Sequence, residues 1–196
     1  MRVGAHRLSA ASVRIRRKIA PARVAAASGV LVRCVDRRSM GRVRAAALHV
    51  WLGGVHRWDR AWPPFDVHVL GEVGGRRVAH VGIVWREVGF GPERADVGLI
   101  GGVYTDPAVR GRGVASRLMQ IADEEMARRS ATHGVLICRD ELRAFYEPLG
   151  WTAVEGSVVC DWGAGPEMVE DTTMFRVLDE GAMAPEGPID LCGRPV

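Results

Sequence analysis

Apolar residues recur along this chain at two spacings, one typical of strands and one typical of helices. Strand-like runs rich in β-branched residues occupy its middle, and two of them flank Gly74-Gly75, a pair that favours a hairpin turn. The predicted strands cover residues 31–35, 67–73, 76–88, 97–105, 135–138, 151–154 and 172–178.

Helical spacing replaces the strand pattern in three places. The clearest is an amphipathic helix over about residues 112–129, in which the apolar positions are three or four residues apart. They are Val114, Leu118, Ile121, Ala122 and Met126. Ser39 is a candidate N-cap for a second helix that would end at Gly53, and a third helix is predicted from Asp140 to Gly150.

The predicted elements follow one another in the order β-α-(α)-β-β-β-α-β-α-β-β, with loops at residues 54–66 and 156–171. Strands and helices are interspersed, and 196 residues suffice for one domain but are few for two. We therefore predict a single layered domain of the α/β or α+β class over residues 29–196.

Charge is distributed unevenly along the chain. Residues 1–28 carry seven basic residues and no acidic one, whereas the remainder carries 20 basic and 23 acidic residues. Because a nucleic-acid-binding protein needs a basic face on its folded part, this distribution argues against nucleic acid as a partner. The basic segment is predicted to be a disordered extension or the result of a start codon placed too far upstream, with a transit peptide as the alternative.

The sequence indicates neither a membrane span nor a metal site. No apolar run approaches the roughly 18–20 residues of a membrane-spanning helix. The four cysteines, Cys34, Cys138, Cys160 and Cys192, lack the close spacing of zinc ligands or redox pairs. We expect a cytoplasmic protein with reduced thiols and no metal, and the sequence leaves open whether it is a monomer or a homodimer.

The junction between the fourth predicted strand and the long helix is the strongest chemical signal. A strand, a Pro turn and the stretch Arg110-Gly111-Arg112-Gly113-Val114-Ala115 lead directly into the helix. The first N–H groups of a helix lack internal partners and bind phosphate well, and glycine lets a pyrophosphate approach them closely. The dinucleotide-binding and P-loop patterns do not fit, since the third glycine of the first and the lysine of the second are missing.

This stretch resembles the R/Q-x-x-G-x-G/A signature of the GNAT superfamily of N-acyltransferases. A second block, Ala144-Phe145-Tyr146-Glu147-Pro148-Leu149-Gly150-Trp151, is similar to the family's A-x-x-Y-x-x-x-G-[FW] element. The resemblance implies a mixed, mostly antiparallel sheet flanked by helices, with acetyl-CoA as cosubstrate. The cofactor-binding residues that it implies are Val103, Tyr104, Thr105, Arg110, Gly111, Arg112, Gly113, Val114, Ala115 and Ser116. Residues 111–116 would hold the pyrophosphate, and the pantetheine arm would pair with residues 103–105.

The resemblance also places the general acid at Tyr146, which would protonate the departing thiolate, and an oxyanion-binding backbone N–H within residues 103–105. A packing role for Tyr146 is the alternative. The general base is not identifiable from the sequence. The candidates by residue type and neighbourhood are Glu72, His80, Glu87, Asp96 and Glu141, and a water that relays to a distant carboxylate is an equal alternative.

A weaker likeness extends to the C-terminus. Residues 173–177 and 191–196 are similar to the tail of aminoglycoside 2′-N-acetyltransferases, but Gly101 stands where those enzymes have a glutamate. The favoured activity is acetylation of a primary amine on a small molecule, with an amino sugar or aminoglycoside as one acceptor class. A peptide N-acetyltransferase and a non-catalytic acyl-CoA-binding domain are the alternatives.

Overall fold

The fold is built on one large sheet. The computed structural model describes residues 23–25, 29–39, 48, 51–52 and 64–196, and 11 strands lie within them. The strands are β1 (Arg23–Ala25), β2 (Leu31–Asp36), β3 (Val67–Val73), β4 (Arg76–Phe90), β5 (Glu93–Thr105), β6 (His133–Cys138), β7 (Thr152–Ala153), β8 (Val158–Asp161), β9 (Pro166–Met168), β10 (Thr172–Val177) and β11 (Ile189–Asp190). The helices with complete bounds are α1 (Val114–Arg128) and α2 (Arg143–Tyr146), with 3₁₀ turns at Arg37–Ser39, Pro107–Val109, Asp140–Leu142 and Glu147–Leu149.

The main path of the sheet runs β1-β2-β3-β4-β5-β6-β10-β7. Neighbouring strands on this path are antiparallel except β5 and β6, which are parallel. β11 pairs antiparallel with β4 and parallel with β8, and β8 forms a hairpin with β9. The molecule is therefore a mixed, mostly antiparallel α/β domain, which confirms the class predicted from the sequence.

Apolar side chains form a core on each face of the sheet. On one face, which we call the α1 face, helix α1 buries Val114, Leu118, Met119, Ala122 and Met126 against the strands. On the other face, which we call the opposite face, the buried residues include Leu48, Leu52 and Phe65 together with side chains of β8 and β11. The predicted amphipathic helix thus exists, two residues shorter at its N-terminus than predicted, because Gly113 is its N-cap.

The hairpin between β4 and β5 is longer than the sequence pattern predicts. The strands contain 15 and 13 residues and turn at Gly91-Pro92, whereas the predicted strands end at residue 88 and begin again at residue 97. Gly91 has φ +57°, which a tight two-residue turn requires. The extra pairs join buried Gly89 and Phe90 of β4 to exposed Arg94 and Glu93 of β5, and the glycine and the two charged side chains interrupt the apolar pattern of a strand.

Three other segments correct the sequence-based assignment. The predicted loop at residues 156–171 contains the β8–β9 hairpin, which the pattern misses because every residue of β9 is exposed. β11 was not predicted either, since a two-residue strand has no periodicity. β1, inside the predicted disordered extension of residues 1–28, pairs antiparallel with β2, so the sheet begins at least as early as Arg23. The third predicted helix is α2 with a 3₁₀ turn on either side.

Parts of the N-terminal predictions lie outside the described residues. These parts are residues 1–22 and 26–28, most of the predicted second helix and residues 54–63 of the loop predicted at residues 54–66. Leu48, Trp51 and Leu52 are helical, as expected. Ser39 lies in a 3₁₀ turn, and its hydroxyl donates to the carbonyl of Asp36 at 2.8 Å.

All four cysteines are free thiols, three of them buried, as the sequence predicts. In the part of the chain that the structure describes, no helix combines the length and apolar character needed to cross a membrane.

Candidate active site

Strands β5 and β6 pair over four residues and then separate. Their parallel ladder begins with Val97 opposite His133 and ends with Ile100 opposite Leu136. Beyond that point β5 pairs with β4 alone and β6 with β10 alone, so no described strand covers the second edge of β5 over residues 101–105. We call this opening the fork. Its free edge carries backbone N–H and C=O groups that a bound ligand can pair with.

A β-bulge lies on the β5 side of the fork. Gly101 pairs with Gly82 and Tyr104 pairs with His80, so two residues, Gly102 and Val103, face a single residue of β4. Gly102 has φ +60°, a left-handed conformation that glycine adopts without strain. The bulge turns the backbone groups of β5 away from the regular ladder at the point where the strands separate.

The glycine-rich loop joins the end of β5 to helix α1 and leaves the helix terminus uncapped. Gly113 is the N-cap and makes no side-chain cap bond, and the first helical hydrogen bond runs from Arg117 N–H to the Gly113 carbonyl at 3.0 Å. The N–H groups of Val114, Ala115 and Ser116 therefore precede the helical ladder. The first turn contains no acidic residue, so nothing there competes with an anion.

Space for that anion is provided by the two loop glycines. Gly111 and Gly113 both have φ +70°, and a Cβ added to either would find no atom within 4 Å. Gly113 directly precedes the N–H groups of residues 114–116, and the exposed side chains of Arg110 and Arg112 add positive charge. Backbone N–H groups at a helix start, glycine and positive charge are the features that a pyrophosphate site requires.

Local hydrogen bonds hold the loop in place. The Asp106 carboxylate accepts from the Ala108 N–H at 2.9 Å and caps the 3₁₀ turn. The Arg110 guanidinium donates through Nε to the Thr105 carbonyl at 3.0 Å and ties the loop to the end of β5. Thr105 Oγ1 is buried without a hydrogen-bond partner among the described residues, so this polar atom beside the fork is available to a ligand.

Tyr146 lies beside the other wall of the fork. Its side chain is 5% exposed and packs edge-on against Phe145 at 4.8 Å and Trp151 at 6.5 Å between ring centroids. Burial, with a smaller contribution from Cys138 at the end of β6, raises the pKa of the Tyr146 hydroxyl well above its usual range. Burial also raises the pKa of the Cys138 thiol to about 11. Near neutral pH, Tyr146 keeps its proton and Cys138 is not a thiolate.

Four of the five candidate bases are ordinary surface or paired carboxylates. Glu72 contacts Arg33 at 3.3 Å, Glu87 contacts Arg94 at 3.7 Å, and Glu141 contacts Arg139 at 3.1 Å. Glu87 and Asp96 are opposite each other in the β4–β5 ladder, on the side of the β5–β6 ladder away from the fork. Neither its contacts nor its position distinguishes any of these four carboxylates as the general base.

The fifth candidate, His80, does border the fork but is completely buried. Its Nδ1 lies 2.7 Å from the Gly102 carbonyl and its Nε2 lies 2.9 Å from Nδ1 of His68. With both ring nitrogens bonded, His80 does not act as an exposed base. Sequence reasoning missed His68. A regular register from the Gly74-Gly75 turn would place His80 opposite Val69 and His68 on the other face, and the bulge between Gly71 and Glu72 brings both rings to one face.

The C-terminal segment closes the fork on the opposite face. A Cβ at Gly101 would lie 2.5 Å from the backbone carbon of Val196, which is itself buried. Arg86 holds this segment by donating through Nη1 to the Leu191 carbonyl at 3.2 Å and the Arg194 carbonyl at 2.6 Å. The glutamate of aminoglycoside 2′-N-acetyltransferases therefore has no room at position 101.

Gly101→Ala should lower the free energy of unfolding by about 1–3 kcal/mol, because its methyl group displaces backbone rather than a flexible side chain. Gly89→Ala is a matched control, since Gly89 is also a buried strand glycine but its Cβ would meet its nearest atom at an ordinary 3.4 Å. Urea unfolding of both variants measures the difference. Equal stabilities would show that the Val196 segment does not pack tightly on β5.

Comparison with known proteins identifies solved structures with a similar fold. The fold is similar to that of ElaA from Escherichia coli, with 20% identity, 75% of this chain and 99% of that chain covered, and a TM-score of 0.56. It is also similar to YhbS, a GNAT family N-acetyltransferase from Escherichia coli solved with CoA, with 16% identity, 86% and 98% of the two chains covered, and a TM-score of 0.53. An aminoglycoside 6′-N-acetyltransferase solved with coenzyme A has 14% identity, coverages of 76% and 99%, and a TM-score of 0.54.

At these identities the solved structures establish the fold alone, and no curated protein matches the chain significantly. The family assignment comes from the sequence profile of the acetyltransferase (GNAT) family. That profile matches residues 42–151, more than half of the chain, and the match includes β5, the glycine-rich loop and Tyr146. The protein therefore belongs to the acetyltransferase (GNAT) family.

Proposed function

We propose that this protein transfers an acetyl group from acetyl-CoA to a primary amine of a small molecule. The observation that carries the proposal is the continuity of the fork with the uncapped terminus of α1. A strand edge free over residues 101–105 leads directly into a loop whose N–H groups precede the helical ladder. This arrangement suits a ligand that has an extended amide-containing arm and an anionic diphosphate at one end.

Acetyl-CoA is such a ligand, and when bound it supplies an activated acetyl thioester. Val114, Ala115 and Ser116 bind the pyrophosphate through backbone N–H groups, while Gly111 and Gly113 leave room for it. Residues 103–105 pair with the pantetheine arm along the free edge of β5. Arg110 fixes the loop to the strand, and the exposed Arg112 contributes charge.

Two groups of the chain then act on the reacting thioester. A backbone N–H at the bulge donates to the thioester oxygen as negative charge develops on it. Tyr146, kept neutral by burial, donates its phenolic proton to the sulfur of the departing thiolate. Among the described residues, no carboxylate near the fork is placed as a base, so the amine loses its proton to water.

An amino sugar or aminoglycoside is the acceptor class that we favour. The opposite face of the fork is bounded by Val196 and by Tyr104, whose ring packs edge-on against Trp51 at 5.4 Å. This boundary suits a compact acceptor better than a polypeptide segment. A thiol-release assay with acetyl-CoA and a panel of aminoglycosides, polyamines and peptides tests the proposal. Turnover with peptides alone would replace the small-molecule acceptor, and binding of acetyl-CoA without any turnover would favour a non-catalytic role.

Gly113→Glu should raise the dissociation constant of CoA at least tenfold, because the carboxylate occupies the pyrophosphate space and repels its charge. Gly75→Glu is a matched control, since Gly75 also has positive φ (+80°) and no atom within 4 Å of an added Cβ, but it lies in the β3–β4 turn. Calorimetry with CoA compares the two variants. If both bind CoA with the same affinity, the cofactor is not held at this loop.

A further inference from the structure

Two buried histidines on β3 and β4 form a hydrogen-bonded chain that ends at the bulge. Nδ1 of His80 lies 2.7 Å from the Gly102 carbonyl oxygen, and since a carbonyl accepts only, this nitrogen carries the proton. In a neutral ring Nε2 of His80 is then an acceptor, so Nδ1 of His68, at 2.9 Å, donates to it. The two contacts fix the tautomers of both histidines, and both hydrogen bonds are donated in the direction of Gly102.

The ring of His80 lies on the opposite face of the sheet, away from helix α1. It contacts Phe65 and Trp51 with ring centroids 5.5 Å and 6.4 Å away, and both of these residues pack in the core on that face. The Gly102 carbonyl therefore leans out of the sheet toward the opposite face. A regular strand carbonyl would lie in the plane of the sheet. Gly102 has a left-handed φ, which turns its carbonyl out of that plane without strain because the residue is glycine.

The orientation of this carbonyl determines that of the next N–H. Atoms of a trans peptide unit are coplanar, with C=O and N–H pointing in opposite directions. With the Gly102 carbonyl held toward the opposite face, the Val103 N–H leans toward the α1 face. That is the face on which the glycine-rich loop enters helix α1 and on which the Val103 side chain packs.

We propose that His80, held in place by His68, is a positioning residue that locks the Gly102–Val103 peptide so that the Val103 N–H is presented to the thioester carbonyl. This inference rests on the proposed function, because it needs acetyl-CoA in the fork. It assigns a task to a buried polar pair that packing alone does not require, since apolar residues would fill the same space without the cost of burying ring nitrogens. Burial lowers the pKa of His68 to about 4, which keeps its ring in the neutral form that the chain needs.

The test compares acetyl-CoA with CoA, which share every contact except those of the acetyl thioester. Calorimetry is carried out on the wild type and on His80→Leu, His80→Asn and His68→Leu. His80→Leu should lower the affinity for acetyl-CoA about fivefold, the factor of a single neutral hydrogen bond, while the affinity for CoA stays unchanged. His80→Asn, which keeps a side-chain donor for Gly102, should recover most of this loss. His68→Leu should give a smaller loss in the same direction.

A measurement on the wild type keeps the proposal testable if His80→Leu does not fold. In long-range ¹H–¹⁵N spectra, both histidines should carry their proton on Nδ1, and the Val103 amide signal should shift more with acetyl-CoA than with CoA. An Nε2–H tautomer of His80, or identical Val103 shifts with the two ligands, would overturn the proposal. Equal losses of affinity for both ligands in His80→Leu would do the same. If the wild type binds neither ligand, the proposed function itself fails, which is a separate result.

Discussion

Tyr146→Phe should lower kcat by about 10²–10⁴-fold, the usual range for general acid catalysis, and should leave the dissociation constant of acetyl-CoA almost unchanged. The substitution removes the phenolic proton but keeps the ring that packs between Phe145 and Trp151. Steady-state kinetics with the acceptor found in the thiol-release assay measure kcat, and calorimetry measures the affinity. Wild-type kcat in the phenylalanine variant would show that Tyr146 only packs the core.

The structure and the sequence lead to different expectations for the pH at which the reaction rate declines. An unperturbed tyrosine would lose its proton near pH 10, and the rate would decline there. Because burial raises the pKa of Tyr146, the decline due to this residue should lie above pH 10. A decline below pH 10 that disappears in Tyr146→Phe would mean that the hydroxyl is more hydrated during turnover than in the structure.

Acidification from pH 6.5 to pH 4 should cost the protein about 3 kcal/mol of unfolding free energy through His68 alone. Burial lowers the pKa of His68 from 6.5 to about 4, with smaller contributions in the same direction from Arg37 and Arg77. Between these values the unfolded chain binds a proton that the folded protein does not, so stability falls as the pH falls. Urea unfolding at pH 7 and pH 4 should show a larger loss for the wild type than for His68→Asn, which cannot titrate.

Asp123 has the opposite pH dependence and serves as the control. Burial raises its pKa from 3.8 to about 6, although Arg176 lies 3.3 Å away. Between these values the folded protein binds a proton that the unfolded chain does not, so the contribution of Asp123 to stability rises as the pH falls. In the wild type the two residues partly cancel. Asp123→Asn should therefore show a steeper loss of stability on acidification than the wild type. Parallel pH profiles for the wild type and His68→Asn would show that His68 is not desolvated as the structure indicates.

The elements that could be predicted from the sequence are those with enough residues on one buried face. Strand β3 was predicted with its observed bounds, and α1 within two residues, because both have apolar positions at a regular spacing over their length. β9 and β11 lack such a spacing, since they are short and bond mainly through their backbones. The glycines at 163 and 165, with φ +103° and +116°, were the available signal for a turn between β8 and β9.

Some features of the candidate site could likewise be predicted from the sequence and others could not. The glycine-rich loop was predictable because its chemistry depends on consecutive residues of one segment. The fork depends on where a parallel ladder stops, and the His68–His80 contact depends on the register of β3 against β4. The obstruction at Gly101 comes from Val196, far away in the chain. Single-sequence patterns do not contain these long-range relations.

The fork has a consequence for self-association of the protein. Unpaired strand edges are templates for pairing with other chains, and natural sheets limit them with short edge strands and proline. The outer edges of the described sheet follow this rule, since β1 has three residues, β7 has two, and β9 has three and begins with Pro166. Within the described residues, an open edge also lies inside the sheet at residues 101–105, where β6 diverges on one side and Val196 packs beside Gly101. A slender ligand can enter there more readily than a strand of a second molecule, so this inner edge is a poorer template for aggregation than an outer edge of the same length.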